Sequence, residues 1–258
     1  MESGRQKVTR KDVAREAGVS ETIVSYVLNK NRYVKEEKRQ RVLEVVEKLQ
    51  YHPNNIARAL HGKGSLQILF IAEELSSGYF SELVSQMSRD AYRRGYMISL
   101  CESQEEDEFV SQILSRQFDG LFVSASSVTD RELKLLVKSG IPMVLFLNRE
   151  ISCDLRDTVV VDTGLYEGSR ECVKYLVKNG CRNFVYLDKT GKQCDRDIHW
   201  KGFLDQIKES EITFAQEQRI SGCEDIKKLE KRLQLLLEKN PSVDAIVARY
   251  DNMAAVAL

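Results

Sequence analysis

The sequence predicts two parts of different structural class, an N-terminal all-α head and a following α/β module. Residues 12–29 (DVAREAGVSETIVSYVLN) describe two short helices joined by a glycine-centred turn. From Leu66 onward, apolar runs alternate with amphipathic segments, which is typical of parallel sheets covered by helices on both faces. Charge divides the chain similarly: residues 1–64 carry 14 basic and 8 acidic side chains, and the remainder carries 25 and 31.

The first predicted helix begins after Thr9, which can cap it together with Asp12, three positions on. Gly18 can supply the left-handed residue of the turn that follows, a conformation that bulkier residues resist. The apolar residues of this helix recur at helical spacing and are Val13, Ala14 and Ala17.

The second predicted helix is capped by Ser20 and presents a polar face suited to reading base edges in a DNA major groove. Its inward residues are Ile23, Val24, Val27 and Leu28. Its outward residues are Glu21, Thr22, Ser25, Tyr26 and Asn29. An ordinary helical hairpin is the structural alternative, but the basic segment that follows favours a helix-turn-helix that binds DNA.

A third helix is predicted over residues 35–50, with Val42, Val45, Val46 and Leu49 on its buried side. Its first turns are rich in basic residues, namely Lys35, Lys38, Arg39 and Arg41. Cations at a helix N-terminus oppose the helix dipole, so we interpret them as phosphate contacts. Tyr33, in the preceding polar loop, and Tyr51, after the helix, are further candidate DNA contacts. The capping residues Thr9 and Ser20 are candidate DNA contacts as well.

Residues 7–65 resemble the N-terminal segment of the lactose-repressor/purine-repressor family of bacterial transcription regulators. The resemblance rests on DVAREAGVS, VLN and RVLEVVEKLQYHPNNIARALHGKGS. It implies that residues 54–61 form a hinge helix on operator DNA, with Leu60 as a minor-groove wedge and Asn54 and Ala57 as further contacts. Tyr26 stands where the family usually has Arg, so the operator is not expected to be the commonest one. Lys35 replaces the usual capping Ser or Thr.

The remainder of the chain predicts eight strands and seven helices in alternation. The strands are 67–72, 97–101, 120–123, 143–147, 158–161, 184–187, 218–220 and 245–248. The helices are 79–94, 106–115, 130–138, 164–179, 197–209, 225–238 and 252 onward.

The order of these elements is similar to the family's periplasmic-binding-protein-like effector module. The resemblance implies effector contacts at Tyr79, Phe80, Asp162, His199, Trp200, Tyr250 and Asp251. His199 replaces a frequent Arg and Tyr250 a usual Asn, so we do not transfer a sugar or purine specificity and expect a small polar organic effector. Core packing is the alternative role for Tyr79, Phe80 and Trp200, and helix capping is the alternative for Asp162 and Asp251.

The predicted domains are a DNA-binding head (1–53), a hinge and linker (54–65), a first lobe (66–162) and a second lobe (163–258). Because family members run longer, the second lobe is expected to be incomplete. The predicted function is a dimeric, effector-controlled transcriptional regulator, a repressor by the family's usual mode. A DNA-binding fragment that has lost effector control is the main alternative, and a pure small-molecule-binding protein is a third.

Several classes of protein and site are disfavoured by the composition. No signal-like or membrane-length apolar run occurs, which predicts a cytoplasmic protein. The three histidines and the spacing of the cysteines do not suit a zinc site, and we predict neither metal nor cofactor. The cysteines, expected to be free thiols, are Cys101, Cys153, Cys172, Cys181, Cys194 and Cys223. No phosphate-binding loop follows a strand and no nucleophilic triad stands out, so we predict no enzyme.

Overall fold

A computed structural model describes residues 8–53, 62, 64–73, 75, 78–104, 108–188, 197–221 and 226–258. The chain divides into two compact units, Met1–Ser65 and Leu66–Leu258. Described helices make up the first unit, and the second combines helices with two parallel sheets. The predicted hinge helix, with Asn54, Ala57 and Leu60, lies outside the described residues.

Three helices form the head: α1 (Arg10–Ala17), α2 (Glu21–Asn29) and α3 (Glu36–Lys48). Thr9 and Asp12 close the predicted reciprocal capping box at the start of α1. Gly18 ends α1 at a φ of 65°, in the left-handed region that costs glycine little. The Ile23 N–H donates to the Ser20 hydroxyl at 3.3 Å, so Ser20 caps α2. The predicted helix-turn-helix is confirmed.

One apolar cluster packs between the three helices of the head. Its buried members are Val13, Ala14, Ala17, Val24, Val27, Val34, Val42, Val45 and Tyr51. Each buried valine stabilises the head by about 1.5–3 kcal/mol relative to an exposed one. The cluster fixes the orientation of α2, and with it the direction in which the polar side chains of α2 point.

The first lobe contains a five-stranded parallel sheet in the order β2-β1-β3-β4-β5. The strands are β1 (Gln67–Ala72), β2 (Met97–Glu102), β3 (Gly120–Ser124), β4 (Met143–Leu145) and β5 (Val159–Val160). The helices are α4 (Gly78–Arg93), α5 (Phe109–Leu114) and α6 (Asp130–Lys138). Alternate strand residues such as Leu69, Ile71 and Val123 enter one core with Ile113 of α5 and Leu133 of α6.

The second lobe contains a three-stranded parallel sheet in the order β7-β6-β8. Its elements are α7 (Leu165–Lys178), β6 (Phe184–Leu187), α8 (Ile198–Glu209), β7 (Arg219–Ile220), α9 (Ile226–Lys239), β8 (Ala245–Ala248) and α10 (Asp251–Ala254). The central strand β6 is buried along its whole length. Helices α7 and α8 approach closely at Gly202, where an added Cβ would overlap the carbonyl oxygen of Tyr166.

The predicted two-lobed α/β class is confirmed, while several predicted element bounds are wrong. The predicted strand 158–161 has only two residues in the ladder, because its partner β4 is only three residues long. The predicted strand 143–147 accordingly ends at Leu145. The predicted helix 106–115 begins only at Phe109, after Glu108 as its N-cap, and α10 begins at Asp251.

Four of the predicted free thiols lie in the described part of the chain and are unpaired: Cys101, Cys153, Cys172 and Cys181. Burial raises the pKa of Cys101, Cys153 and Cys172, which favours the protonated thiol at neutral pH. Cys194 and Cys223 lie outside the described residues. Within the described ranges, no helix is long and apolar enough to span a bilayer, and no cluster of acidic, His or Cys side chains is arranged to hold a metal ion.

Candidate nucleic-acid interface and effector site

Helix α2 presents a short polar row on the surface of the head. Glu21, Thr22 and Asn29 are exposed, while Ser25 is half-buried. The Asn29 amide nitrogen donates to the Ser25 carbonyl at 2.8 Å and to the Ser25 hydroxyl at 3.0 Å. These bonds hold the Asn29 amide along the helix, with its acceptor oxygen directed away from Ser25.

Tyr26 does not simply face outward as the sequence analysis predicted. Its ring is half-buried and packs against the apolar cluster of the head. The guanidinium carbon of Arg32 lies 5.2 Å from the centroid of this ring, within cation–π range. Arg32 is exposed and lies in the loop after α2, where only Tyr33 was predicted to contact DNA. The structure therefore adds Arg32 as a cation held beside the polar row of α2.

The basic start of α3 divides into paired and unpaired cations. Arg39 and Arg41 lie 3.7 Å and 3.1 Å from the carboxylates of Glu36 and Glu37. These two acidic residues occupy the first turn, where a negative charge interacts favourably with the helix dipole. The prediction that the helix start is simply cationic is therefore corrected. Lys35 and Lys38 are exposed and have no carboxylate partner within the described part of the chain. Lys35 makes no side-chain capping bond, as its residue type predicts.

The other predicted DNA contacts have different environments. Thr9 and Ser20 are exposed, and their hydroxyls are engaged in helix capping. Tyr33 is 89% exposed and available to a partner. Tyr51 is 6% exposed and belongs to the head's apolar cluster, so its prediction as a DNA contact is corrected to a core role. Tyr51 shares this buried cluster with Val42 and Val45, a role that the local sequence did not reveal.

Aromatic side chains gather on the first lobe around α4, β1 and β3. Phe70 and Phe122 stack at 4.9 Å, and Phe80 meets Phe70 edge-on at 6.1 Å. Tyr79 stacks on Phe146, which follows β4, at 6.1 Å, and remains 60% exposed. Phe80 is thus mainly a packing residue, whereas Tyr79 offers a ring face near the carboxyl ends of the strands, where ligands gather in parallel sheets.

Trp200 belongs to the core of the second lobe. It is 4% exposed, stacks on Phe203 at 5.5 Å and carries the guanidinium of Arg219 at 3.9 Å from its ring centroid. The predicted effector contact by Trp200 is therefore corrected to core packing. The preceding residue, His199, is only half-buried.

Four buried charged residues meet at the second lobe, and we call them the charge cluster: Asp188, Asp197, Arg219 and Arg249. Asp188 accepts from Arg219 Nη2 at 2.8 Å and lies 3.3 Å from Arg249 Nη1. Arg249 Nη2 lies 2.6 Å from Asp197 Oδ2. Burial raises the pKa of Asp197, and Arg249 opposes that rise.

The charge cluster is not apparent from the sequence. Asp188 and Arg249 each follow a buried strand directly, at the carboxyl ends of β6 and β8. A charged residue immediately after an apolar run such as Phe184–Leu187 was the available signal. Arg219 opens β7 and Asp197 precedes α8, so pairing of the four required the tertiary arrangement.

The half-buried His199 pairs with the buried Tyr186 beside the charge cluster. The Tyr186 hydroxyl and His199 Nδ1 are 2.9 Å apart. Burial lowers the pKa of His199, because the imidazolium would lose hydration, although Asp197 opposes this effect. His199 is consequently neutral at neutral pH, and its Nδ1 can accept a hydrogen bond from the Tyr186 hydroxyl.

We expect His199 to make folding stability depend on mild acid. Its pKa is lower in the folded chain than its ordinary value of 6.5. The unfolded chain therefore binds the proton first, so the stability that neutral His199 contributes is intact above pH 6.5 and is lost as the pH falls below it. The wild type should lose more unfolding free energy between about pH 7 and about pH 5 than His199→Asn, which cannot titrate there. Urea unfolding at both pH values measures the difference, and equal losses would contradict it.

The remaining predicted effector residues lie around this region and along the crossover between the lobes. Tyr250 is 41% exposed, and the guanidinium carbon of Arg249 lies 5.0 Å from its ring centroid. Asp251 is exposed at the first position of α10 and is not its N-cap, which is Tyr250. Asp162 is exposed, and its carboxylate accepts the Gly164 N–H at 2.8 Å, which supports the turn before α7.

Comparison with known proteins assigns both parts of the chain to one family. Residues 9–54 match the family model "Bacterial regulatory proteins, lacI family". Residues 65–258 match "Periplasmic binding proteins and sugar binding domain of LacI family". The second match alone covers well over half of the chain.

Curated relatives and solved structures extend over almost the whole chain. The HTH-type transcriptional repressor PurR of Mannheimia succiniciproducens is 30% identical over 258 residues, covering 97% of this chain and 75% of that protein. The ribose operon repressor of Halalkalibacterium halodurans is 29% identical over 254 residues, covering 97% and 74%. The lac repressor dimer bound to operator and the anti-inducer ONPF superposes with a TM-score of 0.80 at 22% identity, covering 98% and 76%.

The folds of the head and of the second unit agree with the family matches. The head is a helix-turn-helix with an exposed polar row on its second helix, and the second unit is a two-lobed parallel α/β module. The chain belongs to the LacI family of bacterial regulatory proteins and is a DNA-binding transcriptional regulator.

Proposed function

We propose that this chain is a repressor that binds a near-palindromic operator as a homodimer and responds to a small polar organic effector. The observation that carries this proposal is the exposed row of Glu21, Thr22 and Asn29 on the capped helix α2, flanked by exposed cations. A dimer of such heads places two α2 helices in successive major grooves, which requires an operator with two-fold symmetry. A regulator of this kind acts in the cytoplasm, where the chromosome lies.

Base recognition is proposed for Thr22, Asn29 and Arg32. Asn can bond adenine edges and Arg can bond guanine O6 and N7 with two parallel donors. Tyr26 lacks such a fork, but its ring holds Arg32 at cation–π distance and thereby positions a guanidinium next to α2. We assign the guanidinium function at this surface to Arg32, with Tyr26 as its support.

Arg32→Lys should reduce affinity for the preferred operator and relax base preference at one position of each half-site. Lysine keeps the charge but loses the two-donor fork, at a cost of about 1–3 kcal/mol per contact. Binding titrations against the operator and single-base variants measure the change. A uniform loss on every sequence would mean that Arg32 contacts phosphate and reads no base.

Lys38→Ala is the matched contrast, because Lys38 is exposed and has no carboxylate partner in the described ranges. Loss of one phosphate contact should weaken binding to all sequences and reduce the salt slope of the affinity by about 1. Affinities measured over a series of salt concentrations test this. A loss confined to one sequence would contradict the phosphate role.

Effector recognition is proposed for the module between Tyr79 of the first lobe and His199 and Tyr250 of the second. Tyr79 can stack on a flat or apolar face, while His199 and Tyr250 carry hydrogen-bonding groups. Asp162 and Asp251 are exposed carboxylates that can accept hydrogen bonds from hydroxyl or amino groups. The effector acts as a ligand and not as a cofactor of a reaction.

Selection of bound sequences from a random DNA library with the 258-residue chain tests the proposed function. At fixed moderate salt, a near-palindromic enriched motif is expected. Tyr51→Phe serves as a control, because Tyr51 is buried in the head and should leave the motif unchanged. Recovery of sequences without a shared motif, with only salt-sensitive bulk binding, would overturn the proposal of a sequence-specific dimer.

A further inference from the structure

The two lobes of the second unit are connected by contacts of residues 148–150, which we call the strap. The strap follows β4 of the first lobe and lies against the start of α8. The Ile198 N–H donates to the Asn148 carbonyl at 3.0 Å. Arg149 and Asp197 form an isolated antiparallel β-bridge, and Lys201 forms an ion pair with Glu150.

The strap is anchored firmly in the first lobe by Arg149. The guanidinium donates to Asp130 Oδ1 at 2.7 Å, to the Val128 carbonyl at 2.6 Å and to the Glu150 carbonyl at 2.8 Å. Asp130 opens α6 and also accepts the Ser152 N–H at 3.1 Å. Both the Arg149 and Asp130 side chains are mostly buried. The strap therefore moves with the body of the first lobe.

On the second-lobe side, the strap supplies an acceptor to the start of α8. The first N–H groups of a helix have no acceptor within the helix and must find one elsewhere. Asp197 Oδ1 accepts hydrogen bonds from the backbone N–H groups of His199 and Trp200 at 3.0 Å each. The Ile198 N–H donates instead to the first lobe, at the carbonyl of Asn148. The other Asp197 oxygen binds Arg249, and Arg149 forms its β-bridge with Asp197, so the strap contacts the charge cluster directly at Asp197.

We propose that the strap is a latch between the lobes, in which the Glu150–Lys201 ion pair is the part that can be released. Both side chains of this pair are about half exposed, so its strength falls as salt rises, unlike that of the buried Arg149–Asp130 pair. Release of the ion pair lets α8 leave the strap and exposes the Ile198 N–H. With the proposed function, an effector bound beside His199 acts on the latch through Asp197 and so alters the lobe arrangement.

Hydrogen exchange at the Ile198 amide, in the 258-residue chain without DNA or effector, tests the latch. Glu150→Lys and Lys201→Glu each place like charges together and should raise the exchange rate roughly twofold to fivefold. The double variant restores an opposite pair and should return the rate to near the wild-type value. Glu171→Lys is the matched control, because Glu171 pairs with Lys174 within α7 and should leave Ile198 unchanged.

Equal Ile198 exchange rates in all variants, or a double variant no better than either single one, would overturn the latch. Slow exchange at the buried strand amides of Val123 and Val185 verifies that both lobes remain folded. If a charge-reversal variant unfolds a lobe, the neutral variant Glu150→Gln is used in its place. Raising the salt concentration from about 0.05 M to about 0.5 M should then speed exchange of the Ile198 amide in the wild type but not in Glu150→Gln. Failure of operator selection would leave these outcomes unaffected, so the two proposals are tested separately.

Discussion

Asp188→Ala will lower the unfolding free energy of the second lobe by about 3–5 kcal/mol. Asp188 is fully buried after β6, and its two oxygens bind Arg219 at 2.8 Å and Arg249 at 3.3 Å. Removing it leaves two buried guanidiniums short of a counter-charge, which costs far more than the pair itself contributes. Urea unfolding followed by the fluorescence of Trp200 reports this directly, because Trp200 is the single tryptophan of the chain and contacts Arg219.

Asp154→Ala provides the matched control for the loss of a carboxylate. Asp154 is exposed; one carboxylate oxygen lies 3.9 Å from the exposed Arg156 guanidinium and the other accepts the Arg156 N–H at 3.0 Å, and water can replace both interactions. Its removal should leave the unfolding midpoint unchanged. A similar small effect for Asp188→Ala would mean that water replaces the carboxylate and that the charge cluster is not sealed.

Gly202→Ala should destabilise the second lobe by about 1–3 kcal/mol, although alanine is the better helix former. The added methyl group would overlap the carbonyl oxygen of Tyr166 and lie 3.1 Å from Cβ of Ser169. The backbone of α7 cannot move aside as a flexible side chain can, so the added methyl group would force α7 and α8 apart. Thermal unfolding of the variant measures the loss.

Gly168→Ala is the opposite case on the facing helix. Gly168 lies in α7, and an added Cβ there has no atom within 4 Å. Alanine should therefore stabilise the lobe by about 0.5–1 kcal/mol through the lower flexibility of its unfolded backbone. Opposite signs for Gly168→Ala and Gly202→Ala would establish that α7 and α8 touch at Gly202; equal signs would contradict the packing.

The sequence predicted best those helices and strands in which neighbouring residues all favour the same environment, buried or exposed. Strands β1, β6 and β8 have their predicted bounds, because continuous apolar runs end there at polar residues. The caps of α1 and α2 were also predictable, since Thr9 and Ser20 bond to N–H groups only three positions away. Interactions of such short range are encoded locally.

The role of an aromatic or charged side chain was less predictable. Tyr51 and Trp200 are amphipathic residues that suit both a binding surface and a core, and their burial depends on partners distant in sequence. Arg219 and Asp188 are 31 residues apart and meet only because β6 and β7 pair. Local sequence therefore predicted the strands of the second lobe but not which charged residues meet beside them.

The charge cluster pairs two carboxylates with two guanidiniums, so its formal charges cancel. Buried opposite charges at contact distance are little affected by dissolved ions, whereas the exposed cations of the head bind DNA by displacing counterions. We expect moderate changes of ionic strength to alter operator affinity through the head while leaving the charge cluster intact. Ionic strength would then change the affinity of the head for DNA without weakening the buried ion pairs of the second lobe.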